Sequence, residues 1–242
     1  MFRSPRSGVP LLALLAACAP SGTTVNPTPT PVAARADTAV PGAIRWVQHS
    51  AEHRALYLQV YRNATAAIEH SADTVSGAWG VVLDADETVI DNSAFELQQA
   101  VSHQPYSEDA WAVWVRKRAA TALPGAVGFI NRAHALGGRV IIVTNRADSL
   151  CADTQANLVS AGIRADAVLC KAVGESGKQR RFDAVLQGTA GLPPLQVLAW
   201  VGDNIQDFPH LSQAISQQPD SAFGNFGHTY FMLPNPMYGS WQ

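Results

Sequence analysis

The stretch Trp79-Gly-Val-Val-Leu-Asp-Ala-Asp-Glu-Thr-Val-Ile-Asp-Asn-Ser93 constrains this chain more than any other. It opens as an apolar run, Val81 to Leu83, which reads as a strand buried on both faces. It then turns at once into Asp84, Asp86, Glu87, Asp91 and Asn92. Carboxylates at the end of a buried strand are costly unless a positive charge meets them. In an open parallel sheet that place is the carboxyl edge of the strands, where ligands bind. Asp84 and Asp86 are separated by one residue, so in extended chain they face the same way. Two such groups suit divided duties: an ionised Asp84 held by a metal, and an Asp86 that carries a proton. A lone Asp-x-Asp would more often be an acidic start to a helix. Here three further polar clusters follow in order, and that favours chemistry.

The rest of the chain repeats the pattern. Val140-Ile-Ile-Val-Thr-Asn-Arg146, Ala167 to Cys170 and Val197 to Gly202 are apolar runs ending in polar residues, and Tyr230 to Leu233 reads as a fifth strand. Helical segments lie between them: one from Pro124 to Gly137, one from about Ser149 to Ala161. Strands alternating with helices predict an α/β fold with a doubly wound, mainly parallel sheet and right-handed crossovers. Residues 42–78 read as an N-terminal helical region, and 79–242 as the core. A helical insertion spans about 94–123 and carries Phe95, Trp111 and Trp114. Trp114 reads as packing for that insertion.

Four elements should bring their polar residues together. They are Asp84 and Asp86; Thr144, Asn145 and Arg146; Lys178 with Arg181; and Asp203 and Asp207. Each type has a use in phosphoryl transfer. A carboxylate nucleophile gives an acyl phosphate that hydrolyses readily, the role of Asp84. Asp86 is placed to protonate the leaving alkoxide and then to activate water. Thr144, Asn145 and Lys178 can hold phosphoryl oxygens. Asp84, Asp203 and Asp207 cannot crowd together without a cation, and hard oxygen ligands indicate Mg²⁺. Lys171 is a rival to Lys178, and Arg146 can be a residue that only positions its loop.

These clusters resemble the four motifs of the haloacid-dehalogenase superfamily of aspartate-nucleophile phosphatases. The longer form Asp84-x-Asp-Glu-Thr-x-x-Asp-Asn-Ser93 is similar to that of its class C bacterial acid phosphatases, in subfamily IIIB, some of which act on 5′-nucleotides. The resemblance covers about residues 43–242, including Trp46 to Tyr61. It implies that Asp86 offers the metal its backbone carbonyl, and that Asp207 acts through metal-bound water or by orienting Lys178. It also implies a substrate pocket of aromatic rings, with Phe95, Trp111 and Tyr238 sandwiching a flat leaving group. Tyr238 comes from Leu233-Pro-Asn-Pro-Met-Tyr-Gly-Ser-Trp241, and Phe95 stands where relatives often carry tyrosine.

Residues 1–17 read as an export signal: Arg3 and Arg6, then an apolar run too short to span a bilayer. Leu15-Ala-Ala17 precedes Cys18 and resembles a lipobox, so Cys18 is expected to carry a lipid, with an outer-membrane address by analogy. Residues 18–41, rich in Pro, Thr and Ser, read as a flexible tether. A formal net charge of −2 without blocks of like charge argues against a nucleic-acid polymer as partner. The expected partners are a small phosphomonoester and a membrane reached through the anchor, with a homodimer left open. Cys151 and Cys170 are left open between a disulfide and two buried thiols. The alternative function is a non-catalytic surface lipoprotein that binds a nucleotide or haem. Signatures of other phosphatase classes, such as Arg-His-Gly, are absent.

Overall fold

The structure is a computed structural model and describes residues 40–188 and 191–242. Cys18, the leader and all but the last two residues of the tether lie outside the described residues.

The chain enters through two helices, α1 (Gly42–His49) and α2 (Ala51–Ser71). Ser50 separates them in an extended conformation, and its side chain accepts from the His53 N–H at 3.0 Å, so one residue stops α1 and caps α2. Strand β1 (Trp79–Leu83) follows. The insertion then supplies β2 (Ile90–Asp91), α3 (Ser93–Ser102), α4 (Glu108–Lys117) and β3 (Thr121–Ala122), with β2 and β3 antiparallel. The remaining elements are α5 (Ala126–Ala135), β4 (Arg139–Ala147), α6 (Cys151–Ser160), β5 (Ala167–Lys171), α7 (Gln179–Gln187), β6 (Gln196–Gly202) and β7 (Tyr230–Met232).

Five strands form one sheet in the order β5-β4-β1-β6-β7, every pairing parallel. This is the expected α/β architecture. Strand β1 lies at the centre, and the chain runs from it to β4 on one side and later to β6 on the other. Its carboxyl end is therefore the switch point where a crevice opens. Alternation divides the core between the two faces. Val81, Leu83, Val140 and Ile142 pack with Tyr57, Tyr61, Ile68 and Phe129 of α2 and α5. Val82, Ile141 and Val143 pack with Phe182 and Val185 of α7 and with Phe208. A strand buried on both faces needs an unbroken apolar run, and Val81 to Leu83 supplies it.

Two joints matter for the site. Helix α2 buries Tyr57 and Tyr61, whose hydroxyls donate to the carbonyls of Glu87 (2.5 Å) and Thr88 (2.9 Å). The loop after β1 is thus held from beneath, and a positive φ of 50° is sustained at Glu87. Cys151 and Cys170 form a disulfide that ties the start of α6 to β5, with Cα atoms 5.8 Å apart.

Candidate active site

The carboxyl edge of the sheet opens into a cavity of about 630 Å³. Asp84, Asp86, Asn145, Arg146, Lys178, Asp203 and Asp207 line its floor, and Trp111, Met237 and Tyr238 belong to its wall. Residues from three strand ends and from the start of α7 therefore meet.

Asp84 stands at the end of β1, pinned by its backbone N–H donating to the Val201 carbonyl at 3.0 Å. Its carboxylate accepts from Lys178 Nζ at 2.5 Å, and the same ammonium reaches Asp207 Oδ1 at 2.7 Å. Lys178, at the start of α7, is thus the lysine of the site. Lys171 lines a neighbouring depression instead. One carboxylate oxygen from each of Asp84, Asp203 and Asp207 lies within 4.8 Å of the others. Burial pushes the Asp84 carboxyl well up against the pull of Lys178, and Asp207, Asp203 and Asp86 push it further. Burial and Asp207 push Asp203 up to about 7. Burial alone would lower the Lys178 ammonium, but Asp207 and Asp84 outweigh it and raise it. Three carboxylates against one ammonium call for further positive charge. An all-oxygen donor set of this kind fits a hard divalent cation.

Gly202 explains how Asp207 enters the cluster. A Cβ on Gly202 would sit 2.3 Å from the Asp207 Cβ, so only glycine at the end of β6 lets that side chain fold back. Asp207 Oδ2 then accepts the Asn204 N–H at 2.9 Å. Asp203 is held at both oxygens, by the Thr88 hydroxyl at Oδ1 (3.0 Å) and by Asn235 Nδ2 at Oδ2 (2.9 Å).

The Asp86 carboxylate takes no part in that cluster. It accepts from Arg146 Nη2 (2.7 Å), Arg146 Nε (2.9 Å) and Asn92 Nδ2 (2.8 Å) at Oδ1, and only from Arg146 Nε (3.2 Å) at Oδ2. Arg146 is buried at the end of β4, with the Trp111 ring 5.3 Å from its guanidinium carbon. Asn92 Oδ1 accepts in turn from Arg146 Nη2 (3.1 Å) and Trp114 Nε1 (2.8 Å). Trp114 is therefore a buried packing residue with its N–H satisfied, as its sequence reading suggested.

Thr144 is fully buried, outside the residues that line the cavity. Its hydroxyl accepts the Arg146 N–H at 3.1 Å, and its carbonyl accepts from Arg181. Asn145 reaches the cavity and accepts from Arg181 Nη2 at 2.9 Å. Arg181 thus fixes the loop after β4 rather than facing a ligand. Trp111 and Tyr238 line the cavity as expected, and Phe95 does not. The Phe95 ring is buried behind Trp111, edge-on at 5.2 Å, and borders an adjoining groove. It is apolar and lies on the inward face of α3, so the core claims it. The sequence reading did not single out Glu96, Tyr106, Met237, Thr88 or Asn235 for this site. Thr88 lies within the Asp-x-Asp-x-Thr stretch, and Asn235 and Met237 lie within the Leu233 to Trp241 stretch that supplies Tyr238; Glu96 and Tyr106 belong to no motif.

Residues 13–241 match the family model of the HAD superfamily, subfamily IIIB (acid phosphatase). The class C acid phosphatase of Bacillus anthracis is 28% identical and superposes with a TM-score of 0.75, over 82% of this chain and 84% of that one. A structure of the same enzyme with tungstate bound is similar at 27% identity and a TM-score of 0.74, over the same shares. This chain belongs to the subfamily IIIB acid phosphatases of the HAD superfamily. It is a phosphomonoester hydrolase, which sets aside the non-catalytic reading. Among the described residues no helix is long and apolar enough to cross a membrane.

Proposed function

We propose that the chain is a Mg²⁺-dependent phosphatase that works through a phosphoryl group carried on Asp84, with 5′-nucleotides among its substrates. The observation that carries this reading is the grouping of Asp84, Asp203 and Asp207 around one point, with Lys178 bridging two of them. Asp84, Asp203 and Asp207, with the Asp86 carbonyl, would hold the magnesium, which when bound would offset charge on the phosphoryl oxygens.

Asp84 Oδ attacks phosphorus, the ester P–O bond breaks, and an acyl phosphate forms on Asp84. The leaving oxygen takes a proton from Asp86. Oδ2, which accepts one long hydrogen bond against three at Oδ1, is the oxygen with room for that proton. In the second step Asp86 removes a proton from water, the water oxygen attacks phosphorus, and phosphate and the Asp84 carboxylate are regenerated. Lys178 balances charge on the reacting oxygens, and Asn145 with the buried Thr144 loop shapes the phosphate seat. Trp111 and Tyr238, walls of one cavity, suit a flat leaving group between rings. The Bacillus anthracis enzyme binds tungstate, a tetrahedral oxyanion, which agrees with a phosphate-binding protein.

Turnover of p-nitrophenyl phosphate with Mg²⁺ tests the reading. Asp84→Asn should lower kcat by about 10⁴-fold or more, as loss of a nucleophile does elsewhere, while the folded signal is kept. A phosphoryl or fluoroberyllate adduct trapped on any other residue would refute it. Profiling of 5′-nucleotides, sugar phosphates and aryl phosphates tests the substrate class. Export with a lipid on Cys18, and an outer-membrane address, complete the proposal. A Cys18→Ser protein that is still processed and retained on membranes would show that no lipid anchors it.

A further inference from the structure

We propose that Asn235 is a positioning residue that joins the metal-binding carboxylates to the wall holding the leaving group, so that the two occupants bind cooperatively. The inference rests on the phosphatase reading above.

The geometry is specific to one side chain. Asn235 Nδ2 donates to Asp203 Oδ2 at 2.9 Å, and Asn235 Oδ1 accepts the Met237 N–H at 2.9 Å. Asp203 belongs to the carboxylate cluster, and Met237 and Tyr238 line the cavity. A single amide therefore spans from a metal ligand to the substrate wall. The flanking residues stiffen it. Pro234 and Pro236 stand on either side of Asn235, fixing their own φ and confining Asn235 to extended backbone. Other hydrogen bonds fix the ends of the segment: Leu233 N–H to the Gly202 carbonyl (2.8 Å), and the Ser240 hydroxyl to Asn204 Oδ1 (2.7 Å). Between those ends Asn235 is the strut that ties the segment to Asp203.

The coupling has a physical source. The carboxylates of Asp84, Asp203 and Asp207 repel one another at this spacing. A cation among them holds Asp203 in place, and with it Asn235 and the Met237–Tyr238 turn. When the cation is withdrawn, the repulsion displaces Asp203 and the strut loses its footing. The wall then samples more conformations and binds a flat group less well. Linkage makes the effect reciprocal: a ligand against the wall must tighten the metal by the same factor.

Calorimetry on the full-length chain tests this, with Mg²⁺ as one titrant and adenosine, a leaving alcohol without phosphate, as the other. In the wild type Mg²⁺ should tighten adenosine about fivefold or more, and adenosine should tighten Mg²⁺ equally. Asn235→Ala should bring that factor to one and weaken Mg²⁺ about tenfold. Ser240→Ala, which loosens the same segment without touching Asp203, should keep the coupling. Should Asn235→Ala fail to fold, Asn235→Ser retains a hydroxyl for the Met237 N–H but is too short for Asp203, and the same loss is expected. An unchanged factor in a folded Asn235 variant, or a wild type whose adenosine affinity ignores Mg²⁺, overturns the proposal. Hydrolysis of p-nitrophenyl phosphate, read in parallel, separates the two failures. Turnover without coupling removes the strut and leaves the phosphatase reading, whereas no turnover removes that reading as well.

Discussion

At the scale of single residues the site turns on how each carboxylate is partnered. Asp84 is bridged by Lys178 to Asp207, whereas Asp86 is gripped by Arg146 and Asn92. Two acids with one residue between them therefore meet different cations, which suits one as nucleophile and the other as proton carrier. If Asp86 protonates the leaving oxygen, its removal should matter most where that oxygen is a poor leaving group. Asp86→Asn should slow the first step for alkyl phosphates by about 10²-fold or more, the usual contribution of a positioned acid. p-Nitrophenyl phosphate should suffer much less. Single-turnover rates for the two esters check this, and equal losses would remove Asp86 from that role. The meeting of Asp84, Asp86, Lys178 and Asp203 in one cavity was legible in the sequence, because each ends an apolar run or sits in a spaced motif. The Arg146–Asp86 pair was not, since it joins the ends of two strands 60 residues apart. Nor was the place of Phe95: an apolar ring next to a pocket reads the same whether it faces the ligand or the core.

At the scale of elements, the strands were the most legible part. Runs of Val, Ile and Leu bounded by Gly, Asp and Asn leave little choice once they are buried on both faces. The two-residue strands β2 and β3 were invisible, because an element that short has no period. One joint at this scale carries a pH prediction. Asp166 precedes β5 and accepts from the Val140 N–H (2.8 Å), His134 Nε2 (2.9 Å) and Arg139 Nη1 (2.9 Å), so it locks the entry of β4 to β5. Burial pushes its carboxyl up, but these donors outweigh burial and hold it below the usual carboxylate range. A depressed folded value means that the unfolded chain binds the proton more readily. The stabilisation is thus present above the unfolded value of about 4, and it is lost as pH falls through the folded one. Asp166→Asn should cost about 1–2 kcal/mol at pH 7. The gap from wild type should narrow as pH drops below about 4. Urea midpoints at pH 7, 5 and 3.5 measure it, and a gap independent of pH would show that the carboxylate charge is not what Asp166 supplies.

At the scale of the whole molecule, the sheet order places the acidic cluster where three separately folded stretches meet. Asp84 comes from β1, Asp203 and Asp207 follow β6, and Lys178 precedes α7. With all three carboxyls ionised, they and the one ammonium carry a net charge of −2 at a buried point. Folding must bring these groups together against their repulsion, so the apoprotein is held back at its own active site. A divalent cation that binds only the folded arrangement removes that burden, and mass action sets the size of the effect. At a hundredfold excess over Kd the gain is about 2.7 kcal/mol. For a chain of 242 residues this corresponds to a rise in Tm of about 5–10 °C. The midpoint should climb logarithmically with free Mg²⁺ and fall back on chelation with EDTA, along with activity. Asp203→Asn should flatten the climb, since it removes a ligand and one negative charge together, and its Tm without Mg²⁺ should exceed that of the wild type. Thermal melts of both proteins across a Mg²⁺ series, each referred to its own EDTA baseline, make the comparison. A wild type whose melting point is the same in EDTA and in saturating Mg²⁺ would mean that these carboxylates do not hold the cation, whatever else activates the enzyme.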